Sequence, residues 1–291
     1  PANPYLPSMQ TTETALVILA GGLGSRFGGA KQIQPFGAEG HFLFEYACYD
    51  AMQAGFKKVF VIVKSGMEPV VQTQLAKWMS ADRFEILTQE QTRSKPWGTA
   101  HALHFLYGKW SGSFLVLNAD DYYGPQICQR AFQLAQDGVA AALVYELGPT
   151  LSPNGPVARG LCQIHDDYLS SIEEVLKIQY KDGQIIDEQN RMWAPDHLIS
   201  MNAWLLSGSF LSLLSERVKA FLEDNSDHET IEIYLPKVLN EMIAGHQLRI
   251  KVAAMPANWF GITYAADLDV AQQKIAALEG QHYPIQFPTW I

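Results

Sequence analysis

The chain has 291 residues, 48% of them apolar and 18% charged, enough to bury the core of one large α/β domain. A formal net charge of -9 and a pI near 5.3 argue against a nucleic-acid groove, which needs clustered Lys and Arg. They leave room for a small phosphorylated ligand held by a few local cations.

No apolar run approaches the roughly 20 residues that a membrane helix requires. Cys48, Cys128 and Cys162 are widely spaced and form neither a metal pattern nor a disulfide framework, so the cytoplasm is the expected compartment. The opening PANPYLPSMQ has no basic start and no apolar centre, unlike a secretory signal. Residues 1–13 read as a loose arm and 14–291 as a single domain.

Short apolar runs alternate with helical patterns. ALVILA (Ala15–Ala20) reads as a fully buried strand ended by Gly21 and Gly22. A helix over Phe42–Ala54, stopped by Gly55, precedes the buried strand Val59–Val63 and a helix over Glu68–Met79. A short strand at Phe84–Leu87, a helix over Thr99–Leu106 and a strand at Phe114–Asn118 follow. A helix over Gln126–Gln136 and a strand at Ala141–Leu147 complete the first half. This order predicts a mostly parallel sheet with helices on both faces. Gly160–Ile164 and Leu169–Val175 read as strands of a smaller antiparallel layer, with a polar turn at Lys181, Asp182 and Gly183. A strand at Leu198–Leu206, helices over Leu211–Leu222 and Ile231–Ile243, a strand at Leu248–Ala253 and a helix over Asp267–Leu278 close the chain.

The segment LAGGLGSRFGGAK (Leu19–Lys31) follows the first strand directly. Glycines there let the backbone turn tightly, and their N–H groups, with those of neighbours such as Gly24 and Ser25, can cradle phosphate oxygens. The segment lies at the carboxyl end of a strand, where open α/β sheets bind ligands. It has no Lys-Ser/Thr ending of a P-loop and no acidic ribose partner of a dinucleotide site. Arg26 and Lys31 bring two cations that suit a triphosphate.

LAGGLGSRFGGAKQIQPFG (Leu19–Gly37) resembles the signature loop of the sugar-phosphate nucleotidylyltransferases, and the resemblance continues through LVLNADDYYG, PWGTAHAL, SMNAW and NWFGITYAADL. It spans roughly residues 14–270. It implies a Rossmann-like three-layer α/β/α sandwich with a mostly parallel central sheet and a small antiparallel sugar-binding layer. The implied reaction joins a nucleoside triphosphate to a sugar 1-phosphate and releases pyrophosphate, with Mg²⁺ as cofactor and self-association as an expectation.

Residue by residue, the resemblance gives Arg26 the triphosphate and its leaving pyrophosphate, Lys31 the reacting phosphates, and Asp120 the principal Mg²⁺ contact. Backbone groups of Leu19, Ala20, Gly21 and Gly22, with Gln89, Gly98 and Thr99, match nucleotide contacts; Thr99 is equally placed to cap its own helix. Gly160, Glu174 and Asn202 match sugar contacts, Glu173 competing with Glu174 because alternation turns only one inward. The last block departs from the pattern: Phe260 stands where many members carry a second metal-binding Asp, leaving Thr263 or Asp267 to compensate. No Lys follows Pro35 closely, and Val175 follows Glu174 where Lys is common. These departures keep open an acceptor such as a phosphorylated amino-alcohol, polyol or phosphonate. They also keep open a non-catalytic nucleotide-sugar sensor. His101 and His104 share a helix face without a third ligand nearby and read as packing or surface residues.

Overall fold

Residues 13–22, 31–90, 93 and 95–291 are described by the structure, a computed structural model. Strand β1 (Thr14–Ala20) leads to the short hairpin β2 (Pro35–Phe36) and β3 (His41–Phe42) and to helix α1 (Leu43–Ala54). Next come β4 (Lys58–Lys64), α2 (Glu68–Leu75), β5 (Phe84–Gln89) and α3 (Thr99–His104). They are followed by β6 (Ser113–Asn118), the two-residue β7 (Asp121–Tyr122), α4 (Ile127–Gln136) and β8 (Ala141–Glu146). An antiparallel arm then runs through β9 (Val157–His165), β10 (Tyr168–Lys181), β11 (Gln184–Ile186) and β12 (Met192–Trp193). The chain ends with β13 (Leu198–Ser207), α5 (Gly208–Asp224), α6 (Leu235–Ala244), β14 (Lys251–Ala254), β15 (Phe260–Gly261) and α7 (Asp267–Leu278).

The main sheet runs β12-β11-β10-β14-β8-β13-β6-β1-β4-β5, with β9 pairing both β10 and β13. The strands β6, β1, β4 and β5 are parallel neighbours, and β13 runs against both β6 and β8. The arm continues this sheet by antiparallel pairing rather than standing apart from it. Every residue of β1 is buried. Leu16, Ile18 and Ala20 enter one core with residues of α1 and α4, while Ala15, Val17 and Leu19 enter a second with residues of α3, α5 and α6. A strand covered on both faces needs this continuous apolar run, and the result is the three-layer α/β/α sandwich.

Among the boundaries that differ from the sequence reading, two move because a distant segment claims the backbone and one because a neighbouring strand extends the pairing. The helix from Glu68 stops at Leu75: farther on, the Ser80 N–H donates to Trp290 O (2.9 Å) and the Trp290 N–H to Trp78 O (2.8 Å). The helix expected from Ile231 starts at Leu235, since Ile233 donates its N–H to Trp97 O (2.8 Å) and accepts from Ala100 N–H (3.1 Å). The strand expected to end at Val175 runs to Lys181, because the following turn folds β11 back onto it.

The last residues lock α1 from outside. Phe287 stacks on Tyr49 (4.9 Å between centroids), and the buried Tyr283 hydroxyl donates to Asp50 Oδ2 (2.8 Å) while meeting the Tyr122 hydroxyl (2.9 Å). Burial pushes the Asp50 carboxyl well above the usual carboxylate range. Tyr283→Phe strips both partners of their hydrogen bond and is expected to cost about 1–3 kcal/mol. A urea titration should show a lower midpoint with an unchanged slope; an unchanged midpoint refutes the bracing role.

Candidate active site

The parallel strands all deliver their carboxyl ends to one edge, and two cavities open there. The smaller, about 330 Å³, is lined by Leu19, Gly21, Gly22, Lys31, Gln89 and Gly98 among others. The larger, about 560 Å³, is lined by Gly160, Glu174, Asn202, Arg159, Asn240 and Trp259 among others. Thr99, Asn118, Asp120, Tyr234 and Thr263 line both, so they mark the junction.

Asp120 reaches the junction from the turn after β6 rather than from the strand itself, which ends at Asn118. Its backbone is held by the Ile262 N–H (3.1 Å), and the preceding Ala119 N–H donates to Leu19 O (3.1 Å). The Lys31 ammonium pairs with the Asp120 carboxylate and donates to Ile262 O (2.9 Å). Arg26, Gly24 and Ser25 lie outside the described residues. Ala20 is fully buried and lines neither cavity.

Gln89 closes the floor of the smaller cavity. Its Nε2 donates to Gly98 O (3.2 Å) and to His101 Nδ1 (3.0 Å), which leaves Oε1 against Gly21. A Cβ at Gly21 would sit 2.7 Å from that oxygen, so a larger residue there would displace the Gln89 amide. Gly98 has φ +98°, and a Cβ would come within 2.5 Å of Ile233 O. The Thr99 hydroxyl accepts from the Leu235 N–H (2.9 Å), so it caps α6 rather than its own helix.

In the larger cavity, Glu174 and Gly160 face each other across β10 and β9. Glu173 points the other way and pairs with Arg191 (2.7 Å), which answers which of the two lines the cavity. A Cβ at Gly160 would meet the Ile172 side chain at 2.9 Å. Asn240 on α6 fixes β10 through both bonds to the Ile172 backbone (2.7 and 2.6 Å). Asn202 joins Asn118 across the two strands β13 and β6 (2.8 Å).

Of the two compensating oxygens, Thr263 lines both cavities and Asp267 neither. The Asp267 carboxylate is engaged by the N–H groups of Thr263 (2.9 Å) and Tyr264 (2.7 Å), by Asn154 (2.7 Å) and by Ser152 (3.2 Å). It braces the loop that carries Thr263. Phe260 stacks on Tyr122 (4.7 Å) and ties β15 to β7. Asp121 is buried, its carboxyl pushed up to about 7 by desolvation and then by the neighbouring Asp120.

Asn118, Tyr234, Arg159, Trp259, Asn240 and Gln32 were not found by sequence reasoning. Asn118 alone carried a signal, a polar residue ending an apolar strand two positions before Asp120. Tyr234 reaches the junction from the loop before α6, and Gln32 ties Gly22 O (2.7 Å) from the far side of the glycine segment.

Burial, then His104 and Arg93, lower the His101 pKa to about 4, so the ring that supports Gln89 is neutral. A depressed base withholds its proton in the folded state, so its stabilisation is complete above the unfolded pKa near 6.5 and is lost as pH falls toward 4. His101→Gln keeps an acceptor and removes the titration. Between pH 7 and 4.5 the parent protein is expected to lose about 2 kcal/mol more than this variant in denaturant unfolding, and parallel losses would refute the neutral buried ring.

A model of the MobA-like NTP transferase domain matches residues 16–192. No curated protein matches the chain in sequence. Among solved structures, the inositol-1-phosphate CTP transferase from T. maritima superposes with TM-score 0.64 at 16% identity, covering 93% of this chain and 98% of that one. The CTP:phosphocholine cytidylyltransferase from Streptococcus pneumoniae gives TM-score 0.61 at 12% identity, covering 90% and 98%. A UDP-glucose pyrophosphorylase complexed with UDP-glucose gives 0.57 at 17%, covering 91% and 98%. At these identities the superpositions speak for the fold.

Proposed function

We propose that this chain, which belongs to the family of MobA-like NTP transferase domains, joins the nucleotidyl group of a nucleoside triphosphate to a sugar 1-phosphate and releases pyrophosphate. The observation that carries this reading is the pair of cavities meeting at Asp120 and Asn118, with Lys31 beside Asp120. A one-substrate enzyme needs one cavity; a transfer between two phosphorylated substrates needs two that share the reacting centre.

The nucleotide occupies the smaller cavity, its base over Gly21 and Gln89 and its triphosphate toward Lys31. The acceptor occupies the larger one, its polar body against Glu174, Asn202 and Gly160. An acceptor phosphate oxygen attacks the α-phosphorus, the bond from that phosphorus to the β-phosphate's bridging oxygen breaks, and pyrophosphate leaves with the bonding electrons. No protein nucleophile and no proton transfer are required, so catalysis is positioning and neutralisation of charge. Lys31 supplies a cation at the reacting phosphates, and Arg26 a second by resemblance.

Among the described residues no cluster of three or more His, Cys, Asp or Glu could hold a metal by itself. The junction instead offers a hard carboxylate oxygen from Asp120 and the hydroxyl of Thr263, which suits Mg²⁺ shared with substrate phosphates. Bound there, Mg²⁺ would add positive charge to the transferring phosphoryl group. The cytoplasm fits this chemistry and the three free, buried thiols.

An acceptor other than a hexose phosphate has one structural argument in its favour. The position after Glu174, where a cation is common by resemblance, holds the buried Val175, and Lys177 turns outward to Glu188 (3.0 Å). The assay therefore measures pyrophosphate release with Mg²⁺ over a grid of triphosphates against sugar 1-phosphates, inositol 1-phosphate and phosphocholine. Lys31→Ala and Asp120→Asn are each expected to lower turnover by about 10²–10³-fold. Silence across the grid, with a nucleotide-sugar still bound tightly, defeats the transferase reading in favour of a sensor.

A further inference from the structure

Four side chains form a single line of hydrogen bonds behind the junction. The Trp204 Nε1–H donates to Asn202 Oδ1 (2.8 Å), Asn202 Nδ2 donates to Asn118 Oδ1 (2.8 Å), and Asn118 Nδ2 donates to Asp121 Oδ2 (2.9 Å). The Trp204 end has fixed chemistry, since an indole N–H only donates, and at the other end the Asp121 carboxylate accepts from Asn118 when ionised. A primary amide is nearly the same shape either way round, so each asparagine alone has two orientations of similar size. Reversing Asn202 sets N–H against the indole N–H, and reversing Asn118 sets its oxygen against the carboxylate. The line therefore has one direction, imposed by the indole at one end and reinforced by the ionised carboxylate at the other.

Local structure is bent to make these links. Asn202 has φ +62° within β13, a left-handed conformation that costs a non-glycine residue of order 1 kcal/mol. The pairing of β13 with β8 shifts register between Ser200 and Trp204, around that residue. Gly261 pairs with Asp121 across β15 and β7, and a Cβ at 261 would collide with Asp121 Oδ1. Tyr123 donates to Met201 O (2.8 Å) and lies 3.3 Å from Asp121 Oδ2, which joins the Asp121 end to β13 a second time. Trp204 is fully buried and Asp121 only 7% exposed, so water competes poorly for either end.

We infer that Asp121 and Trp204 are positioning residues, which lock the orientation of the Asn118 and Asn202 amides and so fix the pattern of N–H and C=O groups offered to the acceptor. The catalytic consequence rests on the larger cavity being the acceptor's. The relay itself does not, and the test separates the two.

The variants are D121N, which keeps an acceptor oxygen and discards the charge, D121L, which removes the acceptor, and W204F, which removes the donor. The first readout needs no turnover: the ¹⁵N indole resonance of Trp204 in ligand-free protein, identified by its loss in W204F. D121L is expected to shift it and speed its hydrogen exchange, D121N to leave it near its parent position. The second readout is KM for glucose 1-phosphate at saturating triphosphate. D121L and W204F are each expected to raise it about tenfold, the double variant no further than about twofold beyond either, and D121N to stay within about threefold of the parent. An indole resonance indifferent to D121L overturns the relay. So does a D121N enzyme whose kcat falls as far as that of D121L, since Asp121 would then act through its charge. If D121L does not fold, an unchanged KM in W204F overturns it as well. Absence of turnover in the parent protein with every acceptor counts against the transfer reading, and the indole resonance then decides the relay alone.

Discussion

Burial of β1 on both faces is the constraint from which the site follows. Its side chains alternate between two cores, with no position along Thr14–Ala20 where a charge could sit without losing its hydration. The neighbours β4 and β6 are enclosed in the same way over Val59–Val63 and Phe114–Leu117. Because these strands are parallel, their first polar or glycine positions after the apolar run all emerge at one edge. Gly21, Asn118 and Asp120 are neighbours for that reason, though nearly a hundred residues separate the first from the others.

Rigidity at that edge comes from ties between segments remote in sequence. Lys31 reaches Ile262, Thr99 caps α6 at Leu235, and Asn240 on α6 holds β10 at Ile172. The first two join an element at the junction to one beside the larger cavity, and the third fixes two walls of the larger cavity to each other. Such ties are individually modest, about 1 kcal/mol each, but they fix relative positions more than they add stability. Transfer chemistry depends on this, because reacting atoms held an ångström out of line forfeit most of the benefit of being bound together.

How much of this was legible in the sequence varied with range. The first half of the sheet was, because fully buried strands such as ALVILA and FLVLN have no competing reading once glycine and helical periodicity bound them. The helix beginning at Asp267 was read to the residue, but those from Glu68 and Ile231 were not. In both failures the backbone is captured by a partner far along the chain, Trp290 in one and Trp97 and Ala100 in the other. Local propensity contains no trace of such a partner. The candidate site divides likewise: Lys31, Asp120 and Gln89 follow strands or glycines, whereas Tyr234, Arg159 and Asn240 reach the cavities only through tertiary folding.

Phe260 shows how a departure from the expected pattern is absorbed. Where a second carboxylate is common by resemblance, this chain places a ring that stacks on Tyr122, with the Lys274 ammonium 5.0 Å from the ring's centroid. Tyr122 in turn touches Tyr283 and, through it, Asp50. A position that would carry negative charge has thus become part of the framework that holds β7, and β7 carries Asp121. The junction keeps Asp120 facing Lys31, with the neighbouring Asp121 buried and drawn toward neutrality. On the proposed function, such a junction repels a triphosphate less than a pair of charged carboxylates would. It also binds a lone divalent ion more weakly, because fewer fixed charges compensate for the ion's lost water. Nucleotide and metal should therefore arrive together, the phosphates supplying the ligands that the protein no longer does.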